Sequence, residues 1–171
     1  YLVLYDFIHD FYIMRSSAEK GENFTAPLLD LKHYTISSEE LKQHLNNLLD
    51  LAPHNKQINY FKLEFNNIIR TLYQQPYSSH LFNINNYIFI RPIGERALEN
   101  GGVDQQIILV EQALMQNSLQ KVESHLEDLP KDINSLNNFI LDIKNQLAIQ
   151  DELTQIEAIL LNKQNSNIVS K

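Results

Sequence analysis

The chain has 171 residues, a net charge of −7 and a hydrophobic fraction of 43%, enough to bury a core in one domain or two small ones. The acidic balance opposes a general nucleic-acid binder, because phosphates demand a basic face, and it opposes whole-domain attraction to anionic lipid for the same reason. Cysteine is absent, which excludes disulfides and thiol chemistry, and four glycines with five prolines are too few for a turn-rich β fold.

The opening segment Tyr1–Met14 is dense in apolar and aromatic residues. Leu4, Ile8, Phe11 and Met14 recur at helical spacing. Leu2, Val3, Tyr5, Phe7, Tyr12 and Ile13 widen that stripe almost all round, so the helix needs burial on several sides or completion by a partner. The chain starts inside this pattern without a methionine and reads as a fragment. No apolar run reaches the roughly 20 residues that span a bilayer, so any membrane anchor is expected upstream.

Gly21 stands where a C′ glycine ends the first helix. Thr25 is expected to cap a short helix with Pro27 in its first turn and Leu28, Leu29 and Leu31 buried. Ser37 and Glu40 have capping-box spacing. Leu41, Leu45, Leu48, Leu49 and Ala52 then mark one helical face, and Pro53 stops the helix. Ile58, Phe61, Leu63, Phe65, Ile68, Ile69 and Leu72 form the next, ending before Pro76. Residues 77–93 fit a helix through Leu81, Phe82, Ile84, Tyr87 and Ile88, or a strand over Tyr87–Ile90. No second convincing strand exists to pair with it, which favours helix. Three of the four glycines fall within 94–102, marking a connection.

Asp104 and Ser118 are expected to cap a helical hairpin, with Ile107, Ile108, Val110, Ala113 and Leu114 inside its first arm and Leu119, Val122, Leu126 and Leu129 inside its second. A long helix from about Ile133 closes the series. Its stripe runs Leu136, Ile140, Ile143, Leu147 and then shifts to Ile149, Leu153, Ile156 and Leu160. That drift suits a straight helix packed on a bundle. The expected fold is therefore all-α: an antiparallel bundle of short helices with a hairpin and a long C-terminal helix. Residues 1–163 form the domain, comprising N-terminal helices over 1–75, the apolar segment and connection over 76–104, and the hairpin with the long helix over 105–163. Residues 164–171 are expected to fray.

Tests for chemistry assign no catalytic residue, cofactor, metal or small-molecule substrate. Of the six histidines, His9, His33, His44, His54, His80 and His125, none pairs with another at i,i+4 and no HExxH occurs, so surface and cap roles are favoured over metal binding. Ser17-Ala18-Glu19-Lys20 matches S-x-x-K but lacks the companion motifs of penicillin-recognising enzymes. Gly94–Gly102 matches no phosphate loop. Arg91 follows an apolar run, and anchoring to a carbonyl or to Glu95 is favoured over ligand binding.

Ile88-Phe89-Ile90-Arg91-Pro92-Ile93-Gly94, then Glu111-x-Ala113-Leu114, Leu126-x-x-Leu129 and the long helix carrying Phe139, resemble the C-terminal domain of mitofilin-like inner-membrane proteins of alphaproteobacteria. Gly21-Glu22-Asn23-Phe24 before Pro27-Leu28-Leu29 is similar to that family's Gly-x-x-Phe segment. Arg91, Pro92 and Gly94 fall on its apolar-Arg-Pro-x-Gly pattern, and Phe139 sits where relatives usually carry tryptophan. The chain departs at Asn117-Ser118-Leu119, where relatives tend to have Gly-Asp-Leu, and at Val122, where alanine is common. A porphyrin-operon membrane protein family has a similar C-terminal helical pattern. The resemblance implies a membrane-anchored protein with this domain in the periplasm, shaping the inner membrane and contacting the envelope through protein partners without enzymatic activity. The alternative from another class is a soluble protein- or peptide-binding helical adaptor.

The first helix carries more apolar surface than one packing partner covers. A homodimer or higher oligomer is therefore expected, with Tyr5, Phe7 and Tyr12 and the late stripe Ile149, Leu153, Ile156 and Leu160 as its interaction surface. The competing reading has both faces filling the core of one chain. Contact of the aromatic residues with a membrane surface is expected to be weak at this charge.

Overall fold

The computed structural model describes residues 2–73, 101–129, 134–162 and 169–170. Among them are seven α-helices and one short strand pair. In chain order these are α1 (Leu2–Glu19), α2 (Thr25–Asp30), β1 (Thr35–Ile36), α3 (Glu39–Leu51), α4 (Ile58–Tyr73), α5 (Gly102–Met115), α6 (Leu119–Leu126), α7 (Asn134–Leu161) and β2 (Val169–Ser170). Single 3-10 turns follow α2 at Leu31–His33 and α3 at Ala52–His54. The protein is an all-α helical bundle, as its capping signals and sparse glycines lead one to expect. No described helix is long and apolar enough to cross a membrane.

The chain divides into two compact units, one comprising Tyr1–Gln57 with Lys144–Lys171 and the other Ile58–Ile143. In the first unit, Phe7, Phe11, Met14 and Ala18 of α1 are buried with Leu28, Leu31, Leu41, Leu45 and Leu48, and with Ile149, Leu153, Ile156 and Leu160 of α7. Helix α1 ends in a Schellman turn: Gly21 N–H donates to Ala18 O at 2.9 Å and Glu22 N–H to Ser17 O at 3.1 Å. Gly21 has φ +71°, and a Cβ there would fall 2.6 Å from the Gln57 nitrogen. Glycine is thus required both by conformation and by the backbone packed against it.

Several local expectations need correction. Ser38, not Ser37, caps α3: its side chain accepts from Leu41 N–H at 3.2 Å. Leu29 and Leu63 are exposed because their helices turn them away from the apolar stripe on which Leu28, Phe61 and Phe65 lie. The tail expected to fray is ordered at its last described residues. Val169 pairs antiparallel with Ile36, and Ser170 with Thr35, and the buried Val169 and Ile36 side chains join the unit's core. Apolar burial and the ladder bonds together hold this pair.

In the second unit α4 supplies Phe61, Phe65, Ile68 and Ile69, and α5, α6 and Leu129 just past α6 supply every inward residue expected of the hairpin. Gly101, rather than Asp104, occupies the N-cap position of α5. Asp104 lies in its first turn and accepts from the Tyr73 hydroxyl. The hairpin turn is a second Schellman closure, Ser118 N–H to Ala113 O at 2.9 Å and Asn117 N–H to Leu114 O at 3.1 Å. Asn117 has φ +55°. Asparagine tolerates this region better than other side chains and glycine better still. Asn117→Gly is therefore expected to be neutral or stabilising, and Asn117→Val to lose about 1–2 kcal/mol, measured by chemical denaturation of the two variants side by side.

Candidate functional site

The first unit presents the face on which interaction was expected. Five of the seven residues assigned to it are interior. Phe7, Ile149, Leu153, Ile156 and Leu160 all lie in the core of one chain. Here the competing reading holds, because both stripes are buried in one core cluster of the same chain, which leaves neither available as a surface. Tyr5 and Tyr12 do face outward, with Ile13 beside them, at 69%, 42% and 51% exposure. Phe139 is buried in the second unit, its ring centroid 6.0 Å from that of Phe61 and 5.7 Å from that of Phe65. Arg91, Pro92, Gly94 and Glu95 lie outside the described residues, as does the segment 77–93.

Polar contacts line the edges of these faces. The Glu157 carboxylate accepts from the Tyr12 hydroxyl at 2.9 Å and pairs with Arg15 Nη1 at 2.6 Å. Arg15 and Tyr12 hold Glu157 below the usual carboxylate range. The stabilisation from this pairing is present above the ordinary glutamate pKa and is lost as pH falls through the lowered value. Glu152 of α7 is met by His44 Nδ1 at 2.6 Å and by the Asn47 amide at 2.9 Å, so both its oxygens are engaged. A shallow cleft of about 380 Å³ is lined by Asp10, Asp30, His33 and Tyr34. Within it the Tyr34 hydroxyl donates to Asp10 at 2.7 Å, and the Tyr34 ring meets Phe7 edge-on. Among the described residues no group of three or more histidine, aspartate or glutamate side chains is placed to hold a metal. Ser17 and Lys20 of the S-x-x-K match lie in the terminal turn of α1, where the Ser17 carbonyl accepts from Glu22.

Tyrosine-to-aspartate contacts recur. The Asp10 carboxylate pushes the Tyr34 phenol up to about 12, and the Asp142 carboxylate, 2.6 Å from the Tyr60 hydroxyl, does the same to Tyr60. A phenolate beside a carboxylate is disfavoured in the folded chain more than in the unfolded one. The folded pKa lies above the unfolded one, so the stabilisation is complete below the ordinary value of 10.0 and is lost as pH rises from there to about 12. Thermal unfolding followed across that window is expected to fall more steeply for the natural chain than for the Tyr34→Phe, Tyr60→Phe double variant. Equal slopes would remove these two contacts from the alkaline loss.

The polar node of the first unit was not foreseen. Asn55 and Gln146 are buried. Asn55 Nδ2 donates to Ala18 O at 2.9 Å and Glu22 O at 2.8 Å, while its Oδ1 accepts from Gln146 Nε2 at 3.0 Å. Gln146 Oε1 accepts from Lys56 N–H at 2.9 Å. Two amide side chains thus join the end of α1, the connection before α4 and the middle of α7. This is positioning chemistry: it fixes backbone and offers no reactive group to solvent. The chain matches no protein-family model, no curated protein and no solved structure.

Proposed function

We propose that the chain is a non-enzymatic scaffold domain of a membrane-anchored protein that organises inner-membrane architecture and envelope contacts through self-association and protein partners, with this domain in the periplasm. The reading rests on the resemblance to mitofilin-like proteins. The observation that carries it furthest is the hairpin and its surroundings: Ala113, Leu114, Leu126, Leu129 and Phe139, motif positions of that resemblance, all point inward. Motifs that serve packing suit a domain whose product is a shape. Asn117 adds a physical reason for one departure from the family pattern, since its positive φ is the conformation a glycine at that turn would supply.

The test is depletion of the protein in the cell that makes it, with electron cryotomography of the envelope and fractionation of the protein. Altered inner-membrane contour with the protein in the inner-membrane fraction is expected. Unchanged contour, or a protein recovered wholly apart from membrane, would overturn the reading in favour of an adaptor. The isolated chain is expected to bind anionic liposomes only weakly in co-sedimentation, given its charge of −7.

A further inference from the structure

The pairing of β2 with β1 places one end of the described chain in a seat built by residues far from it in sequence. Ile36 and Val169 oppose each other, as do Thr35 and Ser170. β2 lies against α1 as well as β1, and Val169 is buried in the cluster that holds Phe7, Leu31 and Ile36. Backbone of β1 supplies the ladder and the cluster supplies an apolar notch for one β-branched side chain. These are the two elements by which a sheet edge takes up an extended segment. Because the pair is two residues long, it belongs to the part of the fold that opens most readily.

We propose that the β1 edge is a strand-docking slot with Val169–Ser170 as its tethered occupant, and that a second copy of this chain fills it by exchanging that segment. The fold itself defines the occupant's chemistry: the seat already holds this sequence. An identical segment from another copy restores each contact that opening removes, which makes exchange a low-cost route to a dimer. What opposes it is the tether. Val169 follows Leu161, the last residue of α7, by only eight positions in sequence, and so short a tether gives its own segment an effective concentration on the order of mM. Exchange therefore competes only where copies are held at comparable local concentration. An anchored scaffold meets that condition, and to that extent the inference deepens the function proposed above.

The natural chain has no cysteine, so engineered thiols report without interference. A chain carrying both Thr35→Cys and Ser170→Cys is expected to form an internal disulfide on mild oxidation in dilute solution. Chains carrying one substitution each, mixed and oxidised as concentration rises towards ~1 mM, are expected to form the mixed disulfide at least ~10-fold above either symmetric one, with Val169→Asp in each chain abolishing that excess. Helix content by circular dichroism accompanies each variant. No internal disulfide in a folded double variant would overturn the slot. An internal disulfide without mixed product at the highest concentration would overturn the exchange while keeping the slot. All these readouts use the chain in solution, so they are separate from the cellular test of the scaffold reading.

Discussion

Phe139→Ala is expected to lose about 3–5 kcal/mol, the range for deleting a fully buried aromatic side chain. Phe139 is 1% exposed and meets Phe61 at an interplanar angle of 72° and Phe65 at 30°. Two terms contribute. The first is transfer of the ring from water together with the cavity its loss leaves. The second is the pair of ring–ring contacts, each worth about 0.5–1.5 kcal/mol beyond burial. Phe139→Leu keeps most of the volume and loses the second term, so it is expected to cost about 1–3 kcal/mol. The loss is a large share of the roughly 5–15 kcal/mol that stabilises a typical domain. Hydrogen exchange at the amides of α4 and α5 reads it within the unit concerned. Protection unchanged in Phe139→Ala would mean that the rings do not support that core.

Asn55→Ala is expected to cost about 3 kcal/mol through a different mechanism, the stranding of buried polar groups. Its amide meets the Ala18 and Glu22 carbonyls and the Gln146 side chain. The Ala18 carbonyl keeps the Gly21 N–H, which leaves the Glu22 carbonyl and the Gln146 amide as the groups that lose a partner. Gln146→Leu removes the donor to Asn55 Oδ1 and one acceptor of the Lys56 N–H. A double variant, Asn55→Ala with Gln146→Leu, is not expected to recover, because the Glu22 carbonyl still lacks the Asn55 amide. The two losses are expected to fall short of additivity by about 1 kcal/mol, the bond the two side chains share. A chemical-denaturation cycle measures this directly, and full additivity would show that the two amides act separately.

Gln146 also explains where the sequence reading stopped. Apolar spacing along α7 points to Leu136, Ile140, Ile143 and Leu147, followed by a shift to Ile149. The buried residues are Leu136, Phe139, Ile143, Gln146, Ile149, Leu153, Ile156 and Leu160. The seam is continuous, and the break lies in a reading that passes over a polar residue whose hydrogen bonds permit burial. Elsewhere periodicity served well: every inward residue expected of the hairpin is buried, the first arm packing against both the second arm and α4. Helix ends were legible where the signal is backbone conformation, as at Gly21, and less so where two serines compete to cap, as at Ser37 and Ser38. The Tyr34–Asp10, Tyr60–Asp142 and Glu157–Arg15 contacts join residues distant in sequence, and no local pattern announces them. The same holds for the interaction surface. Amphipathicity marks Phe7 and Ile156 as faces that need covering, but only tertiary structure says that both are covered within one core.

The division of the chain has a consequence for its synthesis. Residues 58–143 are one continuous stretch, whereas the unit around α1 draws on both ends. A ribosome therefore delivers the continuous unit whole while the other is still missing the stripe from Ile149 to Leu160. At about 5–20 residues per second, Phe7, Phe11, Leu41 and Leu48 wait on the order of ten seconds for the helix that fills them. The nascent chain thus carries α1, with Phe7 and Phe11, uncovered for longest, and chaperone occupancy is expected to concentrate there until α7 emerges.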